Sequence, residues 1–239
     1  MVVFSLAFGL AFPARAQDGK AWSFEAALDY SSVYLYRGVN LLGGGQGVFS
    51  AHAGIERGIV SLLYDGYRGR FDKDGASGRY DEHDVLIQAT VKLGDDVYLS
   101  LGVTGLDYGP AVTEGLGFRD TWELGGTFTW DVFLHPTIAY SQDVAALDGG
   151  YGTIGLEHTI GLGPKAGIDL AASLGIDNGY NGPRKGQVND ILLRATGWAD
   201  LGPHVSARLE VRYSIAGPAL GSLEQGDETI LGAGLTASF

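Results

Sequence analysis

The stretch that decides the fold is 228-ETILGAGLTASF-239. One set of alternate positions is apolar or small, namely Thr229, Leu231, Ala233, Leu235, Ala237 and Phe239, and the other set is Glu228, Ile230, Gly232, Gly234, Thr236 and Ser238. Because successive side chains of a β-strand point to opposite faces, this alternation predicts a strand with one apolar face and one small, mostly polar face. The class of fold then depends on what the apolar face contacts.

The same alternation returns in about a dozen segments from residue 21 onward. In the first of them Trp22, Phe24 and Leu28 alternate with Glu25 and Asp29. Later segments repeat the rule, among them 85-VLIQATVKL-93 and 205-VSARLEVRYSI-215. The segments are roughly ten to twelve residues long, which is the length that a tilted strand needs to cross a membrane.

Connections of two lengths separate these segments, and the two kinds alternate along the chain. The short ones lie at 57–58, 94–96, 130–131, 162–164 and 201–203. The long ones are 38–46, 68–83, 106–119, 142–150, 177–188 and 216–227. Strict alternation of this kind is typical of an up-and-down barrel with periplasmic turns and external loops. In a soluble β-sandwich, nothing requires short and long connections to alternate along the chain.

We therefore predict an all-β fold, a transmembrane up-and-down antiparallel β-barrel of about twelve strands. Aromatic residues support it, since two belts of amphipathic rings are expected where a barrel crosses the headgroup layers. On the short-turn side these are Trp22, Phe24, Phe128, Trp130 and Phe239, and on the long-loop side Tyr30, Tyr64, Tyr140 and Tyr213. The apolar face, Phe239 included, then contacts the lipid bilayer of the outer membrane.

The composition suits one β-rich domain with many turns, with 39 Gly, 12 Tyr and 10 Phe among 239 residues. The net charge of −12 argues against a nucleic-acid partner, which would need a basic stripe. Cysteine is absent, which excludes disulfides, thiolate metal sites and cysteine nucleophiles. The five histidines show no ligand spacing, so the sequence predicts no metal and no cofactor.

The first residues, 1-MVVFSLAFGLAFPARAQDGK-20, predict export. An apolar run of about a dozen residues is too short for a transmembrane helix and suits a signal peptide. Ala14, Arg15 and Ala16 form a cleavage site of the small-x-small type before Gln17, although no Lys or Arg precedes the apolar run. We expect a signal peptide at 1–16 and an outer-membrane barrel at 17–239.

Charged residues of both signs fall on the face predicted to line the lumen. The acidic ones are Glu25, Asp29, Glu56, Asp65, Asp84, Glu123, Glu157, Asp169, Asp190 and Glu210, and the basic ones are Arg37, Arg57, Lys92, Arg194, Arg208 and Arg212. Two interpretations stay open for these candidate pore-lining residues. They pair into a network that stiffens and plugs a narrow lumen, or they line a wet pore with a transverse field that orders small polar solutes. A barrel of about twelve strands allows either.

The stretch 31-SSVYLYRGVNLLGGGQ-46 resembles the N-terminal signature of the TorF-like porin family in its Tyr-x-Tyr-Arg-Gly-Val run from Tyr34 to Val39. Asn40 stands where that family usually has Ser, and the acidic residue often found before the tyrosine is missing. The resemblance implies an outer-membrane channel. From the residues alone, Arg37 is expected to end a strand at the barrel mouth. Gly38 is expected to give the backbone the conformational freedom to turn into the loop. A terminal aromatic residue, as in other outer-membrane proteins, implies that the outer-membrane assembly machinery reads the last strand.

The sequence predicts no enzyme. Ser50 and His52 share a face, but that face is luminal and no acid or Asn partner lies at the spacing of a known signature. His83 and Asp84, beside Asp81 and Glu82, are read as a solvated charged loop. The string 150-GYGTIG-155 matches a dinucleotide fingerprint in letters only, because a strand follows it where a helix is required.

We therefore expect a channel in the Gram-negative outer membrane that passes small hydrophilic solutes by passive diffusion. The alternative is a plugged structural or adhesive barrel that binds a partner through its external loops. Residue patterns leave open the solute, the ion selectivity and the oligomeric state.

Overall fold

The computed structural model describes residues 22–43, 45–182 and 185–239, so the predicted signal peptide at 1–16 lies outside the described residues. Fourteen strands follow one another with two short helices, α1 (Pro110–Leu116) and α2 (Pro218–Gly221). The strands are β1 (Trp22–Ser31), β2 (Leu35–Tyr36), β3 (Val39–Asn40), β4 (Val48–Arg57), β5 (Val60–Lys73), β6 (Ala76–Lys92), β7 (Val97–Tyr108), β8 (Thr121–Trp130), β9 (Thr137–Asp143), β10 (Gly150–Gly163), β11 (Ala166–Asn178), β12 (Lys185–Asp200), β13 (Val205–Ala216) and β14 (Glu228–Ser238).

Twelve of these strands form a closed antiparallel barrel, which confirms the predicted fold and strand number. Each barrel strand pairs with its neighbours in the chain, and β1 closes the barrel by pairing with both β4 and β14. Phe24 and Phe239 exchange two backbone hydrogen bonds of 3.0 and 2.9 Å where β1 meets the end of β14. The two remaining strands, β2 and β3, pair only with each other.

The two faces of the barrel carry the side chains that the alternation assigns to them. Outward positions are exposed and apolar, such as Leu28, Leu231 and Leu235, whereas inward positions such as Asp29 and Ser31 are buried. All nine aromatic residues of the two predicted belts have exposed side chains. An apolar belt around a barrel with a polar interior is the arrangement that a bilayer requires.

The connections divide between the two ends of the barrel largely as predicted. The short-turn end, which also holds both chain termini of the barrel, has turns at 58–59, 93–96, 164–165 and 201–204. One turn at this end is longer than predicted: β8 ends at Trp130 and β9 begins at Thr137, because Leu134 and His135 adopt left-handed backbone conformations with φ of 71° and 34°. The long-loop end carries the segments between β1 and β4, β7 and β8, β9 and β10, β11 and β12, and β13 and β14.

The predicted long loop at 68–83 is wrong. There β5 and β6 stay paired out to Lys73 and Ala76 and are joined by Asp74 and Gly75 alone. Both turn residues have positive φ, 54° and 80°, as a two-residue hairpin turn of type I′ requires. His83 and Asp84 therefore lie inside β6 and not in a solvated loop. The His83 ring lies on the outer surface beside Tyr64, and the Asp84 side chain is buried in the interior.

The main apolar cluster of this barrel lies inside it, toward the long-loop end. It joins Tyr34, Tyr36, Leu41 and Leu42 from the segment between β1 and β4 to inward side chains of the wall and to Val112 of α1. The wall contributes Val48, Tyr67, Phe71, Tyr80 and Leu106. Over the described ranges, no helix is long and apolar enough to cross a membrane.

Candidate functional site

The segment between β1 and β4 folds into the barrel and forms what we call the inner hairpin, residues 33–42. Strands β2 and β3 are its two arms, and Arg37 and Gly38 form its tip with φ of 51° and 78°. A Cβ added to Gly38 would lie 2.5 Å from Asn189 Nδ2 and 2.9 Å from Asp190 Oδ1. The tip therefore needs a glycine both for its backbone conformation and for its close approach to β12.

Arg37 lies at the tip of the inner hairpin, not at a strand end by the mouth as the sequence suggested. Its guanidinium forms a buried ion pair with Glu123 of β8 and lies 3.9 Å from the ring centroid of Tyr180. Burial alone would lower the pKa of Arg37, but the neighbouring tyrosines and Glu123 outweigh burial and raise that pKa above its usual value. Arg37 is therefore a fixed positive charge inside the barrel.

Hydrogen bonds tie the inner hairpin to several sides of the wall. On one side the Tyr34 hydroxyl donates to Glu82 of β6 at 2.7 Å, and Lys73 of β5 donates to the Asn40 carbonyl at 2.7 Å. On the other side the Arg37 carbonyl accepts from Asn189 of β12 at 2.8 Å, and Asn40 donates to Glu228 of β14 at 2.9 Å. Since these strands lie on different sides of the closed barrel, the hairpin crosses the lumen.

The sequence did not reveal that the inner hairpin crosses the lumen, nor which residues of the wall it contacts. Glu82 fell in the predicted loop 68–83, Tyr180 fell in the predicted loop 177–188, and Asn189 came directly after that loop. The sequence feature that could have found Glu82 is the Asp-Gly pair at 74–75, which is a strong hairpin indicator between two strands. Asn189 lies at an irregularity in the pairing of β11 with β12, where the register shifts between Gly175 and Ile176.

Several predicted lumen residues form one charged network across the closure of the barrel. Arg208 of β13 lies 2.7 Å from Asp29 of β1, and His52 of β4 lies 3.3 Å from the same carboxylate and 2.6 Å from Asp65 of β5. Beside this network Arg212 forms a 2.8 Å ion pair with Glu210. The network spans β13, β14, β1, β4 and β5, and it passes over Gly234 of β14.

The other predicted lumen residues make separate contacts. Arg194 pairs with Glu157 at 2.6 Å. Asp190, Asp169 and Glu25 accept hydrogen bonds from Tyr151 at 2.9 Å, Thr159 at 2.7 Å and Ser238 at 3.0 Å. Glu56 is half-buried and Lys92 is exposed, 5.8 Å from the Tyr98 ring centroid, both toward the short-turn end. Arg57 does not line the lumen, because its guanidinium lies 5.0 Å from the ring centroid of the outward-facing Trp22.

Arginines are concentrated on one wall of the lumen, where Asp190 and Glu210 accompany them, and the opposite wall is mostly acidic. Arg194, Arg208 and Arg212 belong to β12 and β13, whereas Asp65, Glu82 and Asp84 belong to β5 and β6. In the closed order of twelve strands, β12 and β6 are six strands apart, so these two walls face each other. Such an arrangement produces an electric field across the lumen.

Ser50, His52 and Asp65 have the hydrogen-bond order of a catalytic triad, which their spacing in the sequence did not suggest. His52 Nε2 lies 3.1 Å from Ser50 Oγ, and His52 Nδ1 lies 2.6 Å from Asp65 Oδ1. However, Asp29 lies 3.3 Å from the same Nε2, and carboxylates beside both ring nitrogens favour an imidazolium over the neutral base that a triad needs. We interpret the three residues as part of the charged network.

Within the described ranges, no group of three or more His, Cys, Asp or Glu residues could hold a metal ion. No protein-family model matches the sequence, and no curated protein is similar to it in sequence. The resemblance to the TorF-like porin family therefore stays a prediction.

Solved structures with the same fold are similar to this chain in shape, although not in sequence. A KdgM porin aligns over 91% of this chain and 99% of its own with a TM-score of 0.58 and 11% identity. An outer membrane channel of the COG4313 group from Pseudomonas putida F1 aligns over 96% and 100% with a TM-score of 0.57 and 9% identity. The translocator domain of the autotransporter NalP from Neisseria meningitidis aligns over 93% and 90% with a TM-score of 0.56 and 14% identity. The chain thus has the fold of twelve-stranded outer-membrane barrels.

Proposed function

We propose that this protein is an outer-membrane channel through which small hydrophilic solutes diffuse passively, with the inner hairpin as its constriction. The observation that carries the proposal is the unequal distribution of charge in the lumen, with the arginines on the β12–β13 wall and carboxylates prevailing on the β5–β6 wall. A charged, polar lumen inside an apolar belt suits a water-filled path across a bilayer. The short-turn end then faces the periplasm and the long-loop end faces the exterior.

The distribution of ion pairs favours this channel over a plugged structural barrel. In a lumen that serves only to stiffen the wall, we expect each buried charge to have a partner, because an uncompensated buried charge is costly. The arginines of β12 and β13 meet this expectation, but Asp84 forms no ion pair with any described Lys, Arg or His. A carboxylate of this kind, which lines a cavity of the lumen, is better accommodated beside water and passing solutes.

Structural similarity supports the same proposal. Two of the similar structures are a porin and an outer membrane channel, and a KdgM porin has been solved in complex with disordered oligogalacturonate. Recognition of the last strand by the assembly machinery stays a prediction.

Single-channel recording in a planar bilayer under a salt gradient tests the proposal. We expect steady conductance with a reversal potential different from zero, because the lumen is polar and carries unequal numbers of acidic and basic groups. Folding is verified separately by the altered mobility of the unheated protein on a gel. Silence from a protein shown to be folded would contradict the channel and favour the plugged barrel that acts through its external loops.

A further inference from the structure

A small cavity of about 70 Å³ lies in the lumen against β5, β6, β7 and β8. It reaches the inner hairpin, and Gly102, Gly125 and Gly126 leave room for it at the wall. Its polar lining consists of three carboxylates, several hydroxyls and one amide: Asp65, Asp84, Glu123, Tyr36, Ser100, Thr104, Thr127, Ser141 and Gln88. The cavity therefore offers hydrogen-bond acceptors of negative charge.

Asp84 differs from every other carboxylate in this part of the lumen. Its side chain is buried, with 4% of the residue exposed, and its Oδ1 accepts no hydrogen bond. Asp65 and Glu123 of the cavity each have a cation in contact, His52 and Arg37 respectively. Glu82, two residues before Asp84, accepts hydrogen bonds from two tyrosine hydroxyls. Asp84 alone faces the cavity without such compensation.

The register of the barrel places a second carboxylate beside Asp84. Asp65 and Asp84 are direct cross-strand partners on β5 and β6, both on the inward face. Like charges directly opposite each other destabilise a sheet, and an unpaired buried carboxylate adds a desolvation cost. The two nearby cations are already engaged, His52 by Asp29 and Asp65, and Arg37 by Glu123. The Asp65–Asp84 pair is therefore short of one positive charge.

We propose that Asp84, with Asp65, binds the protonated primary amino group of a permeating solute in this cavity. An ammonium group donates up to three hydrogen bonds, which two carboxylates and the hydroxyls of Ser100 or Thr104 can accept. This inference rests on the proposed channel for the route by which the solute arrives. It adds the chemical class of that solute and the wall that selects it.

Methylammonium is the probe for this site, and its binding is measured without any conduction. The folded full-length barrel is purified in detergent, and saturation transfer from the protein to the probe's methyl group is recorded at constant ionic strength. We expect transfer in the unchanged protein and an apparent affinity about tenfold weaker in Asp84→Asn, which removes the charge but keeps the shape. Asp95→Asn is the matched control, since Asp95 is an exposed aspartate in the turn between β6 and β7.

Equal transfer in the unchanged protein and in Asp84→Asn would overturn the proposal. Loss of the saturation-transfer signal when another salt is replaced by an equal concentration of sodium chloride would also overturn it. The site would then bind sodium, an inorganic cation, in place of the ammonium group. The failure of the site and that of the channel are distinguishable. If the protein binds methylammonium but gives no conductance in the bilayer, only the proposed channel is contradicted. If it conducts without binding methylammonium, only the proposed site is contradicted.

Discussion

Replacing Arg37 by alanine is expected to increase the single-channel conductance and the noise of the open state. The substitution leaves Glu123 buried without its cation, and breaking one partner of a buried ion pair costs about 3–5 kcal/mol. The side chains of Arg37 and Glu123 are 1% and 4% exposed, so water cannot replace the lost partner unless the inner hairpin moves. We expect the inner hairpin to lose its contact with β8, and its displacement to widen the path through the lumen.

Arg68→Ala is the matched control for this experiment. Arg68 also pairs with a carboxylate, Asp81 at 2.9 Å, but its side chain is 66% exposed on the long-loop end of β5. Exposed pairs of this kind contribute about 0–1 kcal/mol, so the conductance should stay that of the unchanged protein. If Arg37→Ala conducts with the same amplitude and noise as Arg68→Ala, then the inner hairpin is not the constriction.

The barrel was predictable from sequence because its determinant is local. A period of two in side-chain polarity survives wherever a strand separates lipid from the lumen, as β14 and β13 show throughout. The same reasoning fails where a strand leaves the membrane. In β5 and β6 the outward positions beyond Gly66 and His83 include Arg68, Arg70 and Arg79, while the inward positions include Tyr67, Phe71 and Tyr80, so the polarity of the two faces is the reverse of that in the membrane. That is why the extended hairpin was mistaken for a long loop.

The candidate site was predictable only as a list of charged residues on one face. Which of them pair depends on barrel closure, since Asp29 and Arg208 are 179 residues apart and come together only when β1 pairs with β14. The inner hairpin depends on contacts of the same kind, such as the one from Asn189 to Arg37 over 152 residues. Its local sequence offered a Tyr-x-Tyr-Arg-Gly run but no indication of which wall would hold the arginine.

Glycines 232 and 234 show the same limit at single positions. Both lie on the inward face of β14, two residues apart, and nothing in the sequence distinguishes them. In the structure, a Cβ at Gly232 would meet only ordinary neighbours at 3.5 Å. A Cβ at Gly234 would coincide with the Asp29 carboxylate and lie 3.0 Å from Arg208 Nε. Gly234 therefore provides the gap through which the ion pair passes over β14.

Gly234→Ala should consequently destabilise the barrel, whereas Gly232→Ala should not. The added methyl group separates Asp29 from Arg208 and disturbs the contact of Asp29 with His52, so a mostly buried carboxylate loses its cations. We expect a loss of up to about 3 kcal/mol in the free energy of unfolding, at the low end for a broken buried pair because the Arg208 side chain is 23% exposed. Urea titration read by the mobility of unheated samples measures the difference. Equal unfolding midpoints for the two variants would mean that the charged network across β14 does not hold the barrel closed.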